Sequence, residues 1–232
     1  GESCMIIIEP EIRPVEPGFS AAFFNYGLTY NYLINEFGMG HGWRLGFSTI
    51  ETYSAGYEDQ KQRLILRDGT RHNIESVVGT TVNFENYTLK DIRLEKQSNG
   101  YSGAAYTLFY KDGTVEYFDA QGRNIAIVDR FGNAITLEYT YKNATSKSAV
   151  TQIKITDTLG NIILFKEENV ASVSYVDGIK DTKHRYNKRW TLRLNGDIVR
   201  NYYSYDMSSG RYLVGVQDEL EQYTYYSSGI GS

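Results

Sequence analysis

Apolar and polar residues alternate with a period of two through most of this chain, most cleanly between Tyr110 and Tyr141. There Val115/Tyr117, Ile125/Ile127 and Ile135/Leu137/Tyr139 are separated by mostly polar neighbours. A period of two predicts short strands, each turning one apolar face toward a core. Between them stand Asp112-Gly113, Asp119-Ala120-Gln121-Gly122 and Asp129-Arg130-Phe131-Gly132-Asn133. Glycine there supplies positive φ, and aspartate bonds to its own turn backbone.

The same texture extends both ways. Upstream, Leu28/Tyr30/Tyr32/Ile34 predict a strand, followed by a glycine-rich corner from Gly38 to Trp43 and a second strand through Leu45 and Phe47. Residues 57–63 read as a polar connection. Leu64/Leu66, the turn Asp68-Gly69-Thr70 and His72/Ile74 form a hairpin, and Val82/Phe84 a strand. Leu89 to Leu94 reads as a strand in preference to a short helix, and Ser98-Asn99-Gly100 as a turn. Downstream of a polar loop at 142–149, Ile153/Ile155 and Ile163/Phe165 flank Asp157-Thr158-Leu159-Gly160-Asn161. Val170 to Val176 predicts a strand. Trp190/Leu192/Leu194 lead into Asn195-Gly196, a two-residue hairpin that should set Leu192 opposite Val199.

The expected fold is therefore all-β: stacked antiparallel hairpins in a twisted, extended sheet with little helix. The chain divides into an extended arm (1–18), a β region (19–100) and a hairpin array (101–232). Its 232 residues suffice to bury roughly 70% of the surface of the unfolded chain. The 21 Tyr suit half-buried pleated surfaces and the 22 Gly suit many tight turns. The three prolines (Pro10, Pro14, Pro17) all precede the β region, as ladder bonding requires.

Charge and composition narrow the chemistry. A net charge of −4 from 24 basic and 28 acidic residues argues against nucleic-acid or membrane-surface binding. Cys4 is the single cysteine, which excludes an internal disulfide framework. No apolar run is long enough to span a bilayer. His41, His72 and His184 lack metal-ligand spacing, and no nucleophile elbow is present. Glu167/Glu168 and Glu219/Glu221 are acidic pairs of the kind chance produces. The basic run Lys180, Lys183, His184, Arg185, Lys188, Arg189 reads as a solvated hairpin flank rather than an anion site. The recurrent aspartates read as turn-formers rather than calcium ligands. No catalytic residue, metal or cofactor is expected.

The turns repeat. Aromatic, aspartate, glycine and arginine recur in that order at Phe118, Asp119, Gly122, Arg123 and at Tyr205, Asp206, Gly210, Arg211. Asp129, Gly132, Asn133 recur as Asp157, Gly160, Asn161, with Asp218 a drifted counterpart. Spacing near twenty residues marks a stacked array. These motifs, with Tyr30-Asn31 and the Gly38–Trp43 corner, resemble the RHS/YD-repeat family over roughly residues 28–226. The resemblance implies a β strip that coils into a shell around a C-terminal effector, or an extended surface structure, in a secreted or cell-surface protein of bacterial type. The implied partners are further repeats of the same polypeptide, of which this chain would be a piece. The family's terminal Asp-Pro-x-Gly segment is absent, so no self-cleaving residue carries over. Two other readings remain: a glycan- or surface-binding β domain using tyrosines or Trp190, and a β-scaffold hydrolase. Unpaired edges at Ile6–Ile8 or the C-terminal strand would favour self-association.

Overall fold

Hairpin after hairpin adds to one continuous sheet. In the computed structural model, which describes residues 12–14, 43–54, 60–145, 148–168, 170, 174–180, 184–207 and 210–226, fifteen strands form a single antiparallel sheet in chain order. It begins with Thr49–Ser54, Gln60–Ile65, Arg71–Val78, Thr81–Phe84 and Ile92–Glu95. It continues with Tyr106–Tyr110, Val115–Phe118, Asn124–Val128, Ala134–Asn143 and Ser148–Thr156. It ends with Ile162–Glu168, Lys188–Leu194, Asp197–Met207, Gly210–Asp218 and Tyr223–Tyr225. The sheet is not closed into a barrel, and no α-helix occurs among the described residues. Ile12–Pro14 pairs separately with Trp43–Leu45, the edge position that proline tolerates. The predicted strand at 28–34, the corner at 38–42 and the edge at Ile6–Ile8 lie outside the described residues.

Six turns share one backbone. At those beginning with Leu66, Tyr110, Asp119, Asp129, Asp157 and Asp218, the first residue's N–H donates to the fifth carbonyl, and the fourth N–H donates to the first. This is a type I turn closed by a left-handed residue, a common three-residue hairpin. Where aspartate comes first, its Oδ1 accepts the N–H groups of the third and fifth residues, as in Phe131 and Asn133 to Asp129 at 2.8 and 2.9 Å. Asp218 does the same for Leu220 and Gln222, although Glu221 (φ 61°) stands where the other copies carry glycine. The drifted copy thus keeps the geometry of its relatives.

Two apolar clusters fill the sheet's buried side. One gathers Ile127, Leu137, Val150, Phe165, Trp190 and Tyr202; the other Leu64, Val82, Leu94, Leu108 and Phe118. Each large side chain so buried contributes about 1.5–3 kcal/mol. The segment just before and within the first strand serves both clusters, since Phe47 packs in the first and Ile50 in the second. A smaller cluster of Val176, Tyr203 and Val214, with Tyr186, Tyr205 and Tyr223 against it, forms where the excursion between Ile162–Glu168 and Lys188–Leu194 packs. Tyr202 and Tyr203 fall into different clusters, as alternation across a strand requires.

Several expectations need correction. Val115 and Tyr117 do not face the core; Glu116 and Phe118 do, both with no exposed surface. A bulge at Ile125 shifts the register from Asn124↔Phe118 to Ala126↔Tyr117, so Ala126 and Ile127 are buried in succession and Ile125 is half-buried. Leu192 faces Arg200, because a bulge at Val199 follows the Asn195-Gly196 turn. Residues 60–63 are strand, not connection: buried Arg63 pairs with buried Glu51 across the first hairpin. Leu89 lies exposed in the loop before Ile92–Glu95. The hairpin at 206–211 differs from that at 119–123. It has one more residue between aspartate and glycine, and Met207 pairs directly with Gly210.

Candidate functional site

Polar side chains that are fully buried are costly unless partnered, so their positions identify what the fold protects. Ser48, Glu116, Arg123 and Asn124 converge where the first strand crosses the turn at 119–123, while Thr191 and Ser204 are buried in later strands. The strand Val115–Phe118 points Glu116 inward, the neighbouring strand contributes Tyr110, and the strand after the turn contributes Asn124. Tyr110 Oη donates to Glu116 Oε1 at 3.0 Å, and Asn124 Nδ2 donates to Oε2 at 2.8 Å. Ser48, fully buried, lies 3.5 Å from Tyr110 Oη and accepts the Arg67 N–H at 3.1 Å. Tyr139 Oη caps the group from behind by donating to the Asn124 carbonyl at 2.6 Å.

Burial raises the Glu116 carboxyl above its ordinary value, against the hydrogen bonds and the Arg67 charge that favour ionisation. Burial also raises the Tyr110 phenol, and the adjacent Glu116 adds to it. In another setting such a carboxyl would serve as a general acid. Here Glu116, Ser48 and Asn124 are at most 1% exposed, so the arrangement holds protein to protein.

Directly beside it the first strand docks. Ile50 N–H donates to the Gly122 carbonyl at 2.9 Å, and Thr49 bridges to Arg123. Gly122 has φ +79°, and a Cβ there would lie 1.9 Å from the Ile50 oxygen. Arg123 is buried at 3%, pairs with Asp119 at 3.8 Å and lies 5.0 Å over the Tyr141 ring. The aspartate-to-arginine turn thus acts as a seat for the edge strand.

The predicted turn residues divide between two ends of the sheet. Asp119, Gly122 and Arg123 form the seat. Asp129, Gly132, Asn133 and Asp157, Gly160, Asn161 lie at the opposite end, because successive hairpin turns of a meander alternate ends. Asn133 and Asn161 side chains hold the Asp129 and Asp157 carboxyls below the ordinary range. Asp206 and Arg211 are cross-strand partners by backbone register, next to Gly210. No group of three His, Cys, Asp or Glu among the described residues is placed to hold a metal. His72 packs against Phe84 and Tyr87, and His184 against Tyr225. Glu167 pairs with Lys188 of the basic run, and Arg185 lies over Tyr205. Trp190 is no sugar platform: it is fully buried and stacked on Phe165 at 4.7 Å.

Sequence reasoning missed Glu116, Ser48 and Asn124. The one available signal was Glu116 itself, an acid between two aromatic positions in a strand where the fold decided which parity faced inward.

No family model matches the chain, and no curated protein matches it. Among solved structures, the N-terminal domain of the effector protein SpvB from Salmonella typhimurium strain LT2 is similar over 86% of this chain and 92% of that domain. The identity is 10% and the TM-score 0.44.

Proposed function

We propose that this chain is a non-catalytic structural β module of a larger surface or toxin-type polypeptide, built on the RHS/YD-repeat plan, whose sheet walls off or supports the rest of that polypeptide. The observation that supports this is the strictly sequential sheet with unequal ends. Its first strand is seated on Gly122, whereas Tyr223–Tyr225 ends the strand order. The recurring turns at Asp119, Asp129, Asp157 and Asp218 fit a repeat that grows by adding hairpins. The setting proposed is secreted or cell-surface.

The terminal strand supplies the test. Asp218 bonds Gln222 and Tyr226 bonds Val214, so Thr224 bonds inward and Tyr225 turns its N–H and carbonyl away from Gly210–Asp218, an edge that no other described strand pairs with. The isolated chain should associate with rising concentration, read by light scattering, and Tyr225→Pro should suppress the association. A strictly monomeric wild-type chain at high concentration would count against growth at this edge.

A glycan-binding reading has one observation in its favour. The Tyr223 and Tyr225 rings are nearly parallel (10°) with centroids 6.0 Å apart, and His184 meets Tyr225 edge-on at 4.6 Å. Glycan-array binding lost in Tyr225→Ala would favour it over the module.

A further inference from the structure

One end of the sheet gathers exposed apolar side chains. In an antiparallel meander every second connection returns to the same end. The turns at 110–114, 129–133, 157–161, 195–196 and 218–222 therefore form one rim. Contacts tie neighbours together along it. Ala134 N–H donates to Thr158 Oγ1 at 2.6 Å, and Asn195 exchanges bonds with Ile162 at 2.8 and 2.9 Å. On this rim Phe131 is 75% exposed, Leu159 67% and Leu220 71%, with Ile162, Leu194 and Ile198 exposed between them.

Phe131, Leu159 and Leu220 occupy the same position, third in their turns. Each donates its own N–H to the leading aspartate at 2.8–2.9 Å. The backbone bearing each apolar tip is thus fixed in advance, which lowers the ordering cost of docking. A row of apolar tips bordered by polar groups marks an interaction surface. The border is net acidic: Asp129, Asp157, Asp197, Asp218, Glu219 and Glu221 outnumber Lys111, Arg130 and Arg193. Arg130 is engaged over the Phe131 ring at 4.6 Å. An acidic border disfavours a second copy of the same rim and favours a basic partner.

Spacing selects the partner's shape. Phe131 and Leu159 stand two strands apart, about 9.6 Å, and Leu220 four strands beyond Leu159, about 19 Å. Same-face residues of an extended segment recur at about 6.6 or 13.2 Å. A helix advances about 10.5 Å in seven residues and returns to the same face. We propose that this rim is the docking site for a basic amphipathic helix of a partner polypeptide, its apolar stripe on Phe131, Leu159 and Leu220 and its cations against the bordering carboxylates.

The proposal is independent of growth at the Tyr225 edge. Its test uses fluorescence anisotropy with a labelled helical Leu/Lys peptide, leucines at heptad spacing, and a Leu/Glu peptide of equal length. The chain should bind the first and not the second, more weakly as salt rises. Phe131→Ser/Leu159→Ser/Leu220→Ser should weaken binding at least about tenfold with an unchanged circular dichroism spectrum. Asp197→Lys/Glu219→Lys, which leaves every turn aspartate in place, should do the same. Equal binding of both peptides, or wild-type affinity in a folded variant of either kind, would overturn the proposal. So would a wild-type dimer that the triple-serine variant makes monomeric, since the rim would then be a self-interface.

Discussion

Replacing Gly122 by alanine isolates what seating the first strand is worth. The added Cβ would lie 1.9 Å from the Ile50 oxygen, 2.8 Å from its carbonyl carbon and 3.0 Å from its Cβ. Backbone cannot yield as a flexible side chain can, so the strand must lift. The turn also imposes φ +79°, which costs an alanine about 1–2 kcal/mol. Lifting forfeits the hydrogen bond from Ile50 N–H, about 1 kcal/mol, and much of the Ile50 burial, about 1.5–3 kcal/mol. The total is about 3–6 kcal/mol. Gly132→Ala is the control: φ is +88° in the same type of turn, but nothing lies within 4 Å of the added carbon. It should cost only the conformational part. Urea unfolding should lower the Gly122→Ala midpoint by about 1–2 M, at a slope near 3 kcal/mol/M, and the control by about a third of that. Amide exchange at Ile50 should accelerate in Gly122→Ala alone. Equal midpoints for the two variants, or unchanged Ile50 protection, would refute the seating argument.

Three further outcomes follow from the same geometry. Because burial favours neutral Glu116, the folded chain retains a proton that the unfolded chain has released once pH exceeds 4.5. Stability should therefore fall from there up to the raised folded value and level off beyond it. Glu116→Gln should remove that slope in denaturation measured across pH, and an identical slope in the variant would exclude Glu116 as its source. Asp129 should titrate below 3.8 by carboxyl NMR, with its stabilising contribution full above 3.8 and lost as pH falls through the folded value. Asn133→Ala should move that titration back toward 3.8; no movement would show that the Asn133 bond is not the main cause. Glu221 occupies φ 61°, where a side chain is strained, so Glu221→Gly should stabilise by about 1 kcal/mol in the urea midpoint. A lower midpoint would mean that the Glu221 side chain makes compensating contacts.

The turns were legible because each is local. Asp129-Arg130-Phe131-Gly132-Asn133 contains every hydrogen bond that closes it, so its geometry is written within five residues. Even Asp218 to Gln222, without its glycine, was recognisable from the aspartate and its distance from the preceding repeat. Strand order was legible for the same reason, since short turns leave each strand beside its predecessor. Facing was less so: Glu116 faces inward through its register with buried Leu108, and Leu192 meets Arg200 because a bulge at Val199 changes parity where no residue announces it.

Local sequence by itself determined that this chain is an antiparallel succession of hairpins, because period-two alternation and aspartate–glycine turns act over a few residues. Tertiary structure alone decided that Thr49–Ser54 returns to the turn at 119–123, some 70 residues away, burying Glu116 beside Tyr110 and Asn124. It also decided that apolar tips from separate turns share one rim. Both depend on how far the accumulated twist and stacking of strands carry distant segments toward one another, a sum over the whole sheet that no short stretch contains.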